Sequence, residues 1–331
     1  MTRDTDRYYR TARQALKCWA FQVDTLELVS RSENVVFKCV TKAGSSYALR
    51  IHRPGYNSLA ELHSELVWSK ALRDAGINTP SHTPTRDGRD YAEVALEGTD
   101  QLHQVGVIEW FAGDSLAHLI EHGDRNAGES YFTQIGETMA HIHNQAGAWT
   151  PPPGFVRRAW NAPGLVGPEP LWGKFWQLPQ LDVEQAQLLQ ETRQVIFDVL
   201  VEYGESPAFY GLMHADLHPH NILVDRGRVQ VIDFDDCGLG WHAYDVAVAL
   251  YNYRDVDEFP RWRDALFDGY AGVRSLDQSL IDMLPLFFLV RSLVSLGWIH
   301  ARPELANEKD MREGIVSAVR QARAYLQRHH P

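Results

Sequence analysis

The thirty-two residues from His214 to Asp245, HADLHPHNILVDRGRVQVIDFDDCGLGWHAYD with its flanks, constrain this chain more than any other stretch. Asp216 follows a histidine by two residues and precedes Asn221 by five. Two short apolar runs come next, Ile222–Val224 and Val229–Ile232, separated by Asp225, Arg226 and Gly227. Apolar runs divided by so short a polar, glycine-containing link predict a β-hairpin. The hairpin would hold Asn221 and a second carboxylate, Asp233, on opposite sides of one small sheet.

Those three side chains are what phosphoryl transfer asks of a protein. The transition state is loose, so the protein's work is to place an acceptor hydroxyl in line and to neutralise charge with Mg²⁺. A carboxylate must accept or orient the hydroxyl, which suits Asp216. A hard cation wants oxygen ligands, which Asn221 and Asp233 supply. His214, His218 and His220 lie close together, but Zn²⁺ spacing needs a fourth ligand and no cysteine pair is near. His214 reads as a packed, hydrogen-bonded residue.

HADLHPHN resembles the H-x-D-x-x-x-x-N loop of the protein-kinase-like superfamily. Together with IDFDD and YDVAVAL it most resembles the aminoglycoside phosphotransferase family, on the side of the homoserine kinase type and a bacterial stress-response Ser/Thr kinase. The resemblance implies an α+β, bilobal, protein-kinase-like fold. An N-lobe of residues 1–110 would carry an antiparallel sheet and one main helix, and a mainly helical C-lobe of residues 111–331 would carry the chemistry. It further implies that Asp245 braces the catalytic loop, that His218 stands near the transferring phosphate, and that ATP or GTP is the co-substrate.

The chain in order supplies the rest. Tyr9, Ala12, Leu16 and Trp19 predict a helix over 7–20. Leu26–Val29, Val35–Val40 and Tyr47–Ile51 read as strands, with Tyr91–Leu96 and Val105–Phe111 completing a five-stranded sheet. By resemblance Ser32 and Asn34 flank the tip that covers the nucleotide phosphates, although this tip lacks glycines. Arg50 takes the place of the kinase lysine, offering a planar fork to phosphate oxygens. Ser58 and Glu61 form a capping box, so Glu65, one turn on, is the expected partner of Arg50. Leu59, Leu62, Leu66 and Ala75 are expected to face the sheet. Backbone at Glu109 and Phe111 would meet the adenine edge by resemblance.

Helices are also predicted over 130–145, from an Asp182 cap to about Tyr203, and over 311–326. Residues 149–179 hold seven prolines and Trp160, Trp172 and Trp176. They form either an acceptor-recognition segment or an irregular stretch anchored by its tryptophans. Asp235 and Asp236 either attract a cationic substrate or assist a second metal, or are two solvated loop acids. Arg291, inside the apolar stretch Met283–Ile299, either pairs with an internal carboxylate or reaches the acceptor; with Pro285 it marks that stretch as a buried helix and not a membrane span.

A net charge of −11 argues against broad nucleic-acid binding, which needs a basic footprint. Three scattered cysteines and a polar start without an apolar signal segment lead to the expectation of a cytoplasmic protein. Three functions stay open: a small-molecule kinase, a protein Ser/Thr kinase, and a nucleotide-binding module without turnover. Only eleven residues separate Asp233 from Asp245, too few for the activation segment of a conventional protein kinase.

Overall fold

The computed structural model describes residues 3–123, 125–304 and 308–329. The first helix, α1 (Arg3–Ala15), lies over an antiparallel sheet of β1 (Val23–Arg31), β2 (Val35–Thr41), β3 (Ser46–Ile51), β4 (Ala92–Ala95) and β5 (Leu102–Glu109), ordered β1-β2-β3-β5-β4. Along β2 the residues Val35, Phe37, Cys39 and Thr41 are buried while those between them are only partly so, the period-two pattern of a strand facing one core. Ala12, Ala15, Leu16 and Trp19 close that core from above. The α-helix stops at Ala15, short of the expected residue 20, because the chain tightens into a 3₁₀ turn over Leu16–Cys18 that swings Trp19 inward.

Between β3 and β4 runs α2 (Leu59–Asp74), opened by the Ser58/Glu61 capping box and ended at Gly76, whose φ is +85°. Its buried residues are Leu62, Ser64, Glu65, Trp68, Ser69 and Leu72. The expected apolar face is therefore corrected: Leu59 is 46% exposed and Ala75 is exposed too. The helix is rotated so that Glu65 reaches the sheet's Arg50 and Trp68 meets Phe234 of the larger lobe edge-on.

The chain leaves the sheet after Glu109, next to the expected boundary between residues 110 and 111. The larger lobe follows in the order β6 (Asp114–Ser115), α3 (Leu116–Glu121), α4 (Gly128–Ala148), β7 (Ala159–Trp160), α5 (Ala162–Val166), α6 (Val183–Tyr203), β8 (Tyr210–Met213), β9 (Ile222–Asp225), β10 (Arg228–Val231), β11 (Gly238–Trp241), α7 (His242–Tyr251), α8 (Phe259–Val273), α9 (Gln278–His300) and α10 (Glu308–His329). The expected hairpin is β9–β10, turned by Arg226 and Gly227, both at positive φ (49° and 78°) as a two-residue hairpin turn requires. A second small sheet orders β7-β11-β8. Residues 149–179 are a packed strap: they contribute β7, α5 and the buried rings of Trp160, Trp172 and Trp176.

Helices α4 and α8 pack at backbone distance. A Cβ on Gly136 would lie 2.0 Å from the Leu266 carbonyl oxygen, and one on Gly269 would lie 2.0 Å from that of Thr133. Neither neighbour is a flexible side chain, so Gly269→Ala must push the helices apart. It should lower unfolding free energy by about 1–3 kcal/mol, read from a urea transition; an unchanged midpoint would mean that the pair is not in close contact. Among the described residues α9 is the one helix long and apolar enough to cross a membrane by composition, and 61% of its apolar window is buried within the protein.

Candidate active site

β8 delivers the catalytic loop into the floor of the cleft between the lobes. Ala215, a residue with a Cβ, sits at φ +68°. That strain is offset by Asp245 at the start of α7, which is fully buried and accepts hydrogen bonds from the amides of His214 (3.1 Å) and Ala215 (2.7 Å). His143 of α4 approaches Asp245 at 3.2 Å and bonds the Tyr270 hydroxyl at 3.0 Å. Burial, with some help from Arg274, pushes His143 down to about 3, so this support is a neutral imidazole. His214 is buried and reaches the Ile232 carbonyl at 3.1 Å, tying the loop to the hairpin.

The loop presents Asp216 among three nitrogen-bearing side chains. Its Oδ1 accepts from Arg291 of α9 at 2.8 Å, and its Oδ2 lies 3.3 Å from His218 Nε2 and 3.2 Å from the Asn221 amide nitrogen. Burial alone would raise this carboxyl; His218 and Arg291 outweigh it and hold it well below the usual carboxylate range. The Asn221 amide nitrogen also donates to the Asp216 carbonyl at 2.9 Å.

Asn221 and Asp233 stand across the open end of the hairpin, where Ile232 N donates to Asn221 O. They are therefore neighbours at one end of the small sheet. Asp233 has a left-handed backbone (φ 66°), which aims its carboxylate into the cleft with 43% of the side chain exposed. Desolvation by the surrounding protein, with repulsion from Asp235 and Asp216, outweighs Arg50 and pushes Asp233 up to about 6. The site thus carries surplus negative charge beside oxygen donors alone, which suits a hard dication. Among the described residues no three His, Cys or carboxylate groups form a self-sufficient metal cage.

Arg50 joins the lobes. Its guanidinium bonds Glu65 at 2.8 Å, as expected, and also Asp235 at 2.9 Å and Asp233 at 3.1 Å. A cleft of about 330 Å³ opens beside it, lined by Glu65, Ile108, Asp233 and Phe234 among others. Asp235 and Asp236 are not solvated loop acids: both are buried. Asp235 faces Arg50 and accepts from the Asn34 amide at 2.7 Å, so its side chain is held by the smaller lobe. Burial would raise it, but Arg50 above all keeps it down at about 2. Asp236 instead accepts a short hydrogen bond from Tyr56.

The remaining expected residues are placed as follows. Ser32 is exposed at the β1–β2 tip, while the Asn34 side chain turns inward to Asp235. Glu109 has its amide committed to Ser81 O (2.7 Å) and its carboxylate to the Ser81 hydroxyl (2.8 Å); Phe111 is buried just beyond. Trp172 donates from its indole N–H to Tyr56 at 3.0 Å and lies 5.1 Å from the Arg291 guanidinium.

Several participants escaped the sequence reading. Arg157 donates to the carbonyls of Cys237 and Asp235 (2.6 Å each) and of Glu61 (2.9 Å), bracing the Asp233–Cys237 turn against α2. Arg158 stacks over Tyr56. Arg302 pairs with Glu33 at the β1–β2 tip, and Arg53 with Glu304 at 2.8 Å, clasping the lobes. The available signal was the adjacent Arg157–Arg158 within an aromatic strap, since guanidinium groups among tryptophans need buried partners.

A five-stranded sheet over a helical lobe, with an arginine–glutamate pair above and an Asp-Asn-Asp constellation below, defines a kinase-like phosphotransferase. Residues 25–278 match the phosphotransferase enzyme (APH) family, and the chain belongs to it. It is 26% identical over 318 residues to the amicoumacin kinase of Bacillus subtilis (strain 168), covering 91% of this chain and 89% of that protein. It is 29% identical over 272 residues to the homoserine kinase of Rhizobium meliloti (strain 1021), covering 78% and 76%. The solved structure of a microcompartment-associated aminopropanol kinase superposes with a TM-score of 0.82 at 30% identity, over 97% of both chains. The protein is a small-molecule kinase-type phosphotransferase of this family.

Proposed function

We propose that the enzyme moves the γ-phosphoryl group of ATP (or GTP) to a hydroxyl of a small, amine-bearing acceptor in the cytoplasm, with Mg²⁺ held by Asn221 and Asp233. The observation that carries this reading is Asp216: a carboxylate fixed by Arg291 and His218 in the same loop as Asn221, whose amide reaches it, with Asp233 across the hairpin's open end. The relatives support the acceptor class, since homoserine and aminopropanol each carry a hydroxyl and an amine.

Asp216 orients the acceptor hydroxyl. As its oxygen bonds to phosphorus, the bridging P–O bond breaks and its electron pair leaves with the nucleoside diphosphate. The hydroxyl proton passes to Asp216 and then to solvent. A carboxylate held this acidic is a weak base, which is adequate because proton loss is late in a loose transition state. Arg50, fixed by Glu65, offers its guanidinium to phosphate oxygens. Mg²⁺ held by Asn221 and Asp233 would supply positive charge to offset the charge on the phosphate oxygens.

Turnover of ATP and GTP across amino alcohols, amino acids, aminoglycosides and a generic protein substrate tests the reading; activity on the protein alone would overturn it. Chelation by EDTA should abolish turnover. Asp233→Asn should weaken nucleotide binding at fixed Mg²⁺ by roughly 10–100-fold, yet leave metal-free binding unchanged or tighter, because a charge facing the phosphates is gone. Equal losses with and without metal would remove Asp233 from the ligand set.

A further inference from the structure

We infer that Arg302 is a positioning residue for nucleotide exchange: its buried ion pair with Glu33 latches the β1–β2 tip down over the cleft, so that nucleotide enters and leaves only when this pair parts. This rests on the cleft taking a nucleotide, as the proposed function requires.

The tip has little else to hold it. Val36 of β2 pairs with Arg50 of β3, so residues 32–34 project just beyond the guanidinium that faces Asp233 and Asp235. Val29, Ser30, Arg31 and Ser32 are exposed, and a cleft of about 560 Å³, lined by Tyr8, Arg31, Val35, Arg53 and His103 among others, undercuts the tip. Apolar burial therefore does not fix where the tip sits; polar contacts with the larger lobe do. Two of these come from adjacent residues. The Asn34 amide donates to Asp235 at 2.7 Å, and Glu33, with only 12% of its side chain exposed, receives both Nε and Nη2 of Arg302 on Oε2.

The Arg302 end is the fixed part. Its Nη1 donates to the Trp298 carbonyl at 3.0 Å, and the guanidinium lies 4.6 Å from the Trp298 ring and 5.3 Å from the Tyr56 ring. All three nitrogens have partners, and the side chain is 6% exposed. The Glu33 end is the moving part: its Oε1 makes no hydrogen bond, with Arg53 Nε 3.8 Å away, so one oxygen carries the attachment. A carboxylate this buried is tolerated only while its partner stays, and lifting the tip returns it to water. The contact is therefore either closed and dry or open and solvated, which gives the tip two discrete positions. Arg53 with Glu304, 2.8 Å apart and about a third exposed, is a weaker second clasp beside it.

Stopped-flow mixing of the full-length enzyme with mant-labelled ADP and GDP at fixed Mg²⁺ reads association and dissociation separately. Arg302→Gln should raise both kon and koff by about tenfold and leave Kd within about threefold of wild type, because the latch closes the cleft with and without nucleotide. Glu33→Gln, which leaves the end of α9 as it is, should do the same, and the double variant should add nothing to either single one, since both remove one contact. Arg302→Lys should fall between wild type and Arg302→Gln, and Arg53→Gln should change the rates less than Glu33→Gln does. A structural defect at Arg302 would weaken binding without speeding entry. If wild type binds nucleotide but both single variants keep its rates, if koff alone rises, or if the two substitutions add, the latch is overturned while the kinase reading stands. If wild type binds neither nucleotide, the proposed function fails and the latch with it.

Discussion

Asp216→Asn should reduce kcat by about 10²–10⁴-fold, the span associated with a positioned acid–base group, while nucleotide affinity and the unfolding transition stay near wild type. The separation follows from the contacts. Asparagine keeps an oxygen for Arg291, whose hydrogen bond to Oδ1 is 2.8 Å, and gives up only the longer contacts that Oδ2 makes with His218 and the Asn221 amide. What it loses is the second anionic oxygen, now shared between His218 and the Asn221 amide, which the acceptor hydroxyl needs. The Asn221 amide still donates to the Asp216 carbonyl at 2.9 Å, which keeps in place a side chain proposed to hold Mg²⁺. Single-turnover kinetics with saturating MgATP are the measurement, with calorimetric nucleotide binding as control. Wild-type turnover in the variant would remove Asp216 from its catalytic role.

Asp245→Asn should damage both stability and rate. The two oxygens of Asp245 each accept a backbone amide, from His214 and from Ala215, in a site without solvent. An asparagine can accept only one of them and must turn an NH₂ group toward the other donor. Losing one charge-assisted bond and opposing two donors should cost about 2–4 kcal/mol, a large part of a typical domain's margin. Ala215 is then free to leave φ +68°, and Asp216 follows it. Misplacing a catalytic group by an ångström is worth about 10²-fold in rate. Urea unfolding and kcat should therefore fall together here, where Asp216→Asn moves kcat alone. A variant as stable as wild type would mean that the brace is dispensable.

The contrast between these two aspartates shows what a sequence can and cannot disclose. Asp216 and Asn221 lie five residues apart and must share a loop, and the apolar runs after them can pair only as a hairpin across Arg226–Gly227. The Ser58 capping box and the Asp182 cap were legible for the same reason: each is settled within one helical turn. The Arg50–Glu65 pair needed one further step, that a charge on an inward-facing strand position must find a partner on the nearest helix.

The elements left open or misread share the opposite property. For Asp235 and Asp236 the sequence leaves two alternatives open, site acids or solvated loop acids, and burial rules out the second. Their partners, Asn34 and Tyr56, are 201 and 180 residues away in the chain. Leu59 and Ala75 were expected inward from periodicity, but the helix turned to satisfy Glu65, because burying an unpaired charge costs more than exposing a leucine.

The sequence by itself determined the reaction class, the strands of the five-stranded sheet and the capped starts of α2 and α6, since local spacing and capping carry that information. Only the tertiary structure decided which groups meet: that Arg291 holds Asp216 across 75 residues, that Trp160 of the strap donates to the Asp236 carbonyl, and that Tyr56 donates to the Asp236 carboxylate. Periodicity reports which face of an element is buried. The partner of a buried charge is set by which faces pack together, and for Arg50 with Asp235 those faces come from opposite lobes.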